Sequence, residues 1–208
     1  MLSLGEGENR FDRGFLDALG GALDEVERAA TPAALVTTGG PRFYSNGYDL
    51  DALALLVRDE RRRFIRDYER VLARLLLFRC PCVAALSGHA VGAGALFALA
   101  HDFRVMQRER GFFWLPEVDA RIPFRPGMAA LLRRRLEPAA LRDLVLAGAR
   151  VLGREALALG IVEALATPSE LLPCAVARAQ QLAGTDPATR VALARGLVGD
   201  VAALLDPI

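Results

Sequence analysis

The chain contains no lysine: all 26 of its basic residues are arginine. That excludes chemistry built on a lysine amine, such as a Schiff base or the phosphate contact of a P-loop. Cysteine is scarce too. Cys80, Cys82 and Cys174 form an odd set, and the C-x-C spacing has neither a second pair nor the nearby histidine of a zinc site, so the three read as thiols in a reducing compartment. The two histidines, His89 and His101, are not spaced as a metal pair, and each reads as a structural residue. An excess of charge is also missing, since 26 basic residues face 25 acidic ones for a net +1. No bulk field points to nucleic acid or an anionic membrane, and neither is expected as a partner. Apolar runs are interrupted by Arg, Asp or Gly before they reach membrane-spanning length, and Met1-Leu2-Ser3-Leu4 leads into Gly5-Glu6-Gly7-Glu8, not into a signal core. Leu205-Asp206-Pro207-Ile208 is no targeting tripeptide of the Ser-Lys-Leu type. An intracellular, soluble protein is the expectation.

What is present is enough apolar content for a core. With 208 residues, 53% hydrophobic and 25% charged, the chain fits one domain over 1–208, without a linker, low-complexity segment or close repeat. Leu16, Leu19, Leu23 and Val26 predict a helix within Asp12 to Glu27, and Ala33 to Thr38 predicts a buried strand ended by Gly39-Gly40. Asp49 to Arg79 reads as one long helix whose Arg/Asp/Glu-rich side is a solvated face. Strands are predicted at Val83 to Leu86, Phe103 to Met106, Phe112 to Trp114 and Ile161 to Glu163. Helices are predicted at Ala95 to Ala100, Pro126 to Leu136, Pro138 to Leu146, Arg154 to Leu159, Leu172 to Ala183 and Pro187 to Leu205. Strands alternating with helices argue for an α/β fold.

Two glycine-bearing turns each lie between a strand and a helix: Ser45-Asn46-Gly47-Tyr48-Asp49-Leu50 and Gly88-His89-Ala90-Val91-Gly92-Ala93-Gly94. Backbone N–H groups at such places can hold an anion or a developing oxyanion; equally, the glycines can serve only tight turns and close packing. The second turn lacks the G-x-G-x-x-G order of a dinucleotide fingerprint. Glu117 follows the apolar run Phe112-Phe113-Trp114-Leu115-Pro116, which would desolvate a carboxylate and raise its pKa; the bland alternative is an exposed acid after a strand.

In order and spacing these pieces resemble the enoyl-CoA hydratase/isomerase (crotonase-like) superfamily. Arg42 to Leu50 is similar to its F-S-x-G-x-D-L segment, which implies an oxyanion-hole N–H at Tyr48. Pro81 to Gly94, continuing to His101-Asp102-Phe103-Arg104-Val105, resembles P-x-I-A-x-x-x-G-x-A-x-G-G-G…C-D-x-R-x, which implies the second N–H at Ala93. Phe113-Trp114-Leu115-Pro116-Glu117-Val118 resembles F-x-x-P-E-x and implies Glu117 as a catalytic glutamate. Where hydratases carry a further glutamate, this chain has Leu96, and Arg125 with Pro126 stands in place of a smoother loop.

Ser45-Asn46-Gly47, Met106 to Phe112 and Glu117-Val118-Asp119 are similar to the plant peroxisomal Δ3,Δ2-enoyl-CoA isomerases. The resemblance covers nearly the whole chain. It implies a spiral of repeated ββα units, core about 1–150, with C-terminal helices over about 151–208. It further implies an acyl-CoA thioester substrate, a homotrimer and a peroxisomal site of action. Without a targeting tripeptide the cytoplasm is the alternative compartment, and without a ligand cluster or nucleotide fingerprint no metal or other cofactor is expected. Substrate-site residues implied with it are Ser45, Asn46, Gly47, Asp49, Leu50, Asp51 and Gly92. Other acyl-CoA reactions, hydration or thioester hydrolysis among them, and a non-catalytic acyl-CoA-binding subunit are the alternatives.

Overall fold

The computed structural model describes residues 1–29 and 32–207; Ile208, the last residue of the expected tail, lies outside them. In chain order the strands are β1 (Leu2–Ser3), β2 (Leu35–Thr38), β3 (Phe43–Ser45), β4 (Cys82–Leu86), β5 (His89–Val91), β6 (Phe103–Gln107), β7 (Phe112–Trp114), β8 (Arg150–Leu152) and β9 (Ala164–Ala166). The helices are α1 (Arg13–Arg28), α2 (Leu50–Leu55), α3 (Arg58–Leu76), α4 (Ala93–Ala100), α5 (Glu117–Ala120), α6 (Pro126–Arg135), α7 (Pro138–Leu141), α8 (Gly153–Ala158), α9 (Leu171–Leu182) and α10 (Pro187–Leu205), with a π-helical turn at Arg142–Leu146.

Two sheets result, and the chain steps from one to the other at each ββ unit. The larger sheet runs β1-β2-β4-β6-β9 and is parallel throughout. The smaller runs β3-β5-β7-β8, parallel except for β8. Both faces of β4 are covered. Val83 and Ala85 meet Leu171, Ala175 and Ala179 of α9, while Cys82, Ala84 and Leu86 join the main core. A central parallel strand buried on both sides reads as an unbroken apolar run, which is why Cys-Val-Ala-Ala-Leu shows no alternation. Helix α4 is buried at every residue, in keeping with a sequence that has no polar side.

The expected helix from Asp49 to Arg79 is two. Asp49 caps α2 by accepting from Ala52 N at 3.0 Å, then Leu56 and Val57 take extended backbone, and the Glu60 carboxylate accepts from Val57 N to start α3. Acidic Asp59 and Glu60 in the new first turn favour that restart. The strand expected at Ile161 to Glu163 lies three residues later, at β9. Gly160, with φ +68°, turns the chain so that Ile161 N bonds back to Ala156 O of α8 at 2.8 Å before pairing begins. On α10, Val198, Val201, Ala202 and Leu205 are buried in the core, whereas Leu193, Leu197 and Leu204 are exposed. Among the described residues no helix is long and apolar enough to cross a membrane.

His101 is a core residue. Its Nε2 lies 3.0 Å from Thr37 Oγ1, which also meets the Tyr44 hydroxyl at 2.8 Å, and its Nδ1 lies 2.9 Å from Phe97 O. Full burial pushes its pKa down to about 4 from the ordinary 6.5. The folded state therefore resists protonation, and stability present above pH 6.5 is lost as pH falls toward 4. Between pH 7 and pH 5 the loss from this group should be about 2 kcal/mol. Urea unfolding of wild type and of His101→Asn at both values checks it: the pH dependence should shrink in the variant.

Candidate active site

Three parallel strands deliver the site. β3 pairs with β5 (Phe43 opposite His89, Ser45 opposite Ala90), and β5 pairs with β7 (Ala90 opposite Phe113, Val91 opposite Trp114). Because all three point the same way, the segments that follow them emerge at one edge: Gly47-Tyr48 after β3, Gly92-Ala93 after β5 and Glu117 after β7. Gly92 N donates to Trp114 O at 2.8 Å and ties the last two together.

Glycine permits the close approach. Gly47 has φ +81°, and a Cβ there would stand 2.8 Å from Val91 O and 3.3 Å from Ala93 N, so the first turn abuts the second. A Cβ on Gly94 would fall 2.4 Å from Ser45 O. Gly92 takes φ +51°, and its Cβ position lies 3.4 Å from Glu117 Oε1. Ala93 itself opens α4 and is absent from the residues at positive φ, so its methyl is unstrained. The Tyr48 and Ala93 amides find no protein acceptor among the described residues: the Phe11 pairing uses Gly47 O and Asp49 N instead. The Tyr68 hydroxyl donates to Ala93 O and braces that turn.

The other expected site residues divide into supports and rim. Ser45 is buried and its hydroxyl donates to Asn9 O at 2.7 Å, Asn46 donates through Nδ2 to Glu8 Oε2 at 3.1 Å, and Asp49 caps α2. These three side chains are engaged with protein groups. Leu50 is exposed at the start of α2, and Asp51 beside it is exposed with Arg10 3.8 Å away. Leu96, one turn into α4 with its N–H on Gly92 O, is buried.

Glu117 is the first residue of α5, in a cavity of about 360 Å³ whose walls include Ile122, Pro123, Phe124 and Val145. Its Oε2 is buried with no hydrogen-bond partner among the described residues. Desolvation is the main cause that drives its pKa up to about 7, opposed only by its own backbone N–H. The apolar run before it holds: Leu115 is fully buried, and the Trp114 ring is fixed by Nε1 donating to Gly148 O at 3.0 Å and by the Arg150 guanidinium 3.9 Å above it.

One part of this neighbourhood escaped sequence reasoning. Glu69 lies on the supposedly solvated face of α3, yet it is buried and meets Arg125 Nε at 2.8 Å. Burial raises its pKa, and the guanidinium opposes the rise. The unusual Arg125 before Pro126 was the available signal, but its partner 56 positions earlier was not legible from spacing.

Similarity to known proteins agrees with this geometry. Residues 2–204 match the enoyl-CoA hydratase/isomerase family. Enoyl-CoA delta isomerase 3 of Arabidopsis thaliana is 35% identical over 175 residues, which are 81% of this chain and 74% of that protein. The chain belongs to the enoyl-CoA hydratase/isomerase family. A probable enoyl-CoA hydratase of Mycobacterium tuberculosis is also similar, 31% identical over 85% of this chain and 67% of its own length. Among solved structures, an enoyl-CoA hydratase/isomerase family protein from Pseudomonas syringae superimposes with a TM-score of 0.91 at 25% identity, covering 98% of this chain and 88% of that one. The expected crotonase-like fold is therefore the observed one, and the family is one of acyl-CoA enzymes.

In this family member the Glu69–Arg125 pair should matter for stability. Arg125→Ala leaves a buried carboxylate without its counter-charge and, because the guanidinium is 43% exposed and partly screened, should cost about 1 to 2 kcal/mol at pH 8. Because the Glu69 pKa is raised by burial, the deficit should shrink as pH falls and Glu69 takes a proton. Denaturant titrations at pH 8 and pH 5 test both the loss and its sign.

Proposed function

We propose that this enzyme converts 3-enoyl-CoA to trans-2-enoyl-CoA, with Glu117 as the group that moves the proton. The observation that carries the reading is a desolvated carboxylate with an unpartnered oxygen, beside one of two adjoining turns with unengaged amides, while Leu96 occupies the place of a second glutamate. Glu117 takes a proton from C2. The C2–H pair forms C1=C2 as the carbonyl π pair moves onto the thioester oxygen, held by the Tyr48 and Ala93 N–H groups, with C3=C4 still in place. The oxygen pair then re-forms C=O, the C1=C2 pair becomes C2=C3 and the C3=C4 pair takes the proton. Return of the proton at C4 completes the shift. Nothing is oxidised or reduced overall and no water is added, so the reading requires neither a metal nor a redox cofactor.

Hydration is the other reading that relatives bring to mind. It needs water to be positioned and activated, which two carboxylates do and a leucine does not; Leu96 is the feature against it. The family resemblance also supports a homotrimer, and exposed Leu193, Leu197 and Leu204 on α10 offer apolar surface for one. A monomeric mass by light scattering at micromolar concentration would overturn the assembly. The isomerase resemblance favours a peroxisomal setting, which localisation of a tagged chain tests.

The decisive assay incubates the protein with a 3-enoyl-CoA in deuterated water and follows double-bond position and label. Isomerisation should far exceed formation of 3-hydroxyacyl-CoA. Because the base must be ionised, activity should rise through about pH 7 and fall roughly tenfold per unit below it. Glu117→Gln should lower turnover by about 10²- to 10⁴-fold with little change in acyl-CoA affinity. Near-normal turnover in that variant would assign the proton to another group.

A further inference from the structure

The N-terminal ends of β3, β5 and β7, opposite the edge that carries Glu117, form a second recess that the proposed reaction does not use. Pro41 and Arg42 ahead of β3, His89 at the start of β5, and Arg110 and Gly111 ahead of β7 surround a cavity of about 360 Å³. At about 3.3 Å per strand residue, the three residues of β5 put it roughly 10 Å from the Gly92 turn. Gly111, where a Cβ would stand 2.6 Å from Gly88 C, fixes the close spacing between the β5 and β7 ends. The wall holds two arginines and a histidine but no acid. Neither arginine is ion-paired among the described residues. Glu8, whose charge Arg42 feels, is held by Arg10 and Asn46, and Glu109 faces Arg154 at 3.7 Å.

His89 supplies a third donor. Its Nδ1 accepts the Phe112 backbone N–H at 3.2 Å, so the neutral ring carries its proton on Nε2, which has no partner among the described residues. The ring packs against Phe43 and Phe112. Burial, then the charges of Arg42 and of Arg150 on β8, lower its pKa from 6.5, so the neutral form prevails at pH 7.5. Arg150 itself is turned onto the Trp114 ring, 3.9 Å away. We propose that this recess is a phosphate-binding site, separate from the acyl-CoA site, in which the Arg42 and Arg110 guanidinium groups and His89 Nε2–H hold one phosphate dianion. Two guanidinium charges balance a dianion, where a carboxylate would leave one of them uncompensated, and a tetrahedral group has oxygens for all three donors. The Phe43 ring lies 5.2 Å from the Arg42 guanidinium carbon and supports its flat face, which leaves the N–H edge for the anion. Free phosphate and the phosphomonoester of a nucleotide present the same group.

The chain has two histidines, so the imidazole signals in proton–nitrogen NMR spectra are assigned by His89→Gln alone. Sodium phosphate, exchanged for sodium chloride at constant ionic strength and pH 7.5, should shift the His89 signals saturably, with half-saturation at or below about 1 mM. Because the dianion favours the charged ring, the His89 pKa should rise by about one unit, while fully buried His101 does not respond. Arg42→Gln and Arg110→Gln, both at exposed positions, should each weaken binding about tenfold. Adenosine 5′-monophosphate separates the two sources of the group. Saturation at lower concentration than inorganic phosphate supports the site with a phosphomonoester as occupant, and equal or weaker binding supports it with the free ion. An equal shift with chloride alone, a response that stays linear in phosphate, or unchanged binding in both arginine variants overturns the proposal.

Discussion

Parallel pairing of β3, β5 and β7 is the constraint on which the site depends. Strands that run in one direction bring their C-terminal ends to one edge, so the loops leaving them must share a small volume. The register fixes which residues meet: Val91 opposite Trp114 puts Gly92 beside the Pro116-Glu117 corner. Backbone contact at that edge leaves no room for side chains. The same holds at the N-terminal ends of these strands, where a Cβ on Gly88 would stand 2.3 Å from Arg42 O and one on Gly111 2.6 Å from Gly88 C, so the strands could not keep their spacing. The glycines therefore act first on distance between backbones and only through that on chemistry.

Compactness at this edge also removes water, and the consequences differ for two carboxylates in one neighbourhood. Burial raises the pKa of both Glu69 and Glu117. Arg125 opposes the rise at Glu69, which remains bound into an ion pair between α3 and the start of α6. Glu117 has only its own N–H for relief and is left near neutrality, where a carboxyl can both accept and return a proton. Environment alone separates a structural acid from one fit for proton transfer.

How much of this could be read from the sequence follows from the range of the interactions involved. The apolar core strands β2, β4 and β6, the buried helix α4 and the bounds of α10 were legible, because burial writes itself into local composition. The three-residue strands β3, β5 and β8 were not: they are too short for a period, and they exist because neighbours in the sheet supply their hydrogen bonds. Glu117 was legible as a candidate because an apolar run, Phe112 to Pro116, precedes it, although the walls of its cavity include Ile122, Pro123, Phe124 and Val145, which follow it. Glu69 was missed because its partner, Arg125, is 56 positions away in the chain and the charge pattern of α3 carries no sign of it.

Family membership places hydratases and isomerases on one backbone, so the reaction must be decided by side chains that the fold does not dictate. Helix α4 is apolar on every side, and a glutamate at the position of Leu96 would have to be desolvated within one turn of Gly92, whose Cβ position lies 3.4 Å from Glu117 Oε1. Two carboxylates so placed would shift each other, one held ionised and the other protonated, and that division of labour suits the activation and addition of water. With leucine there, no second acid shares the proton. On the proposed reading a single carboxyl must then collect the proton from C2 and deliver it to C4, and a pKa near 7 is what makes both halves of that transfer comparably easy.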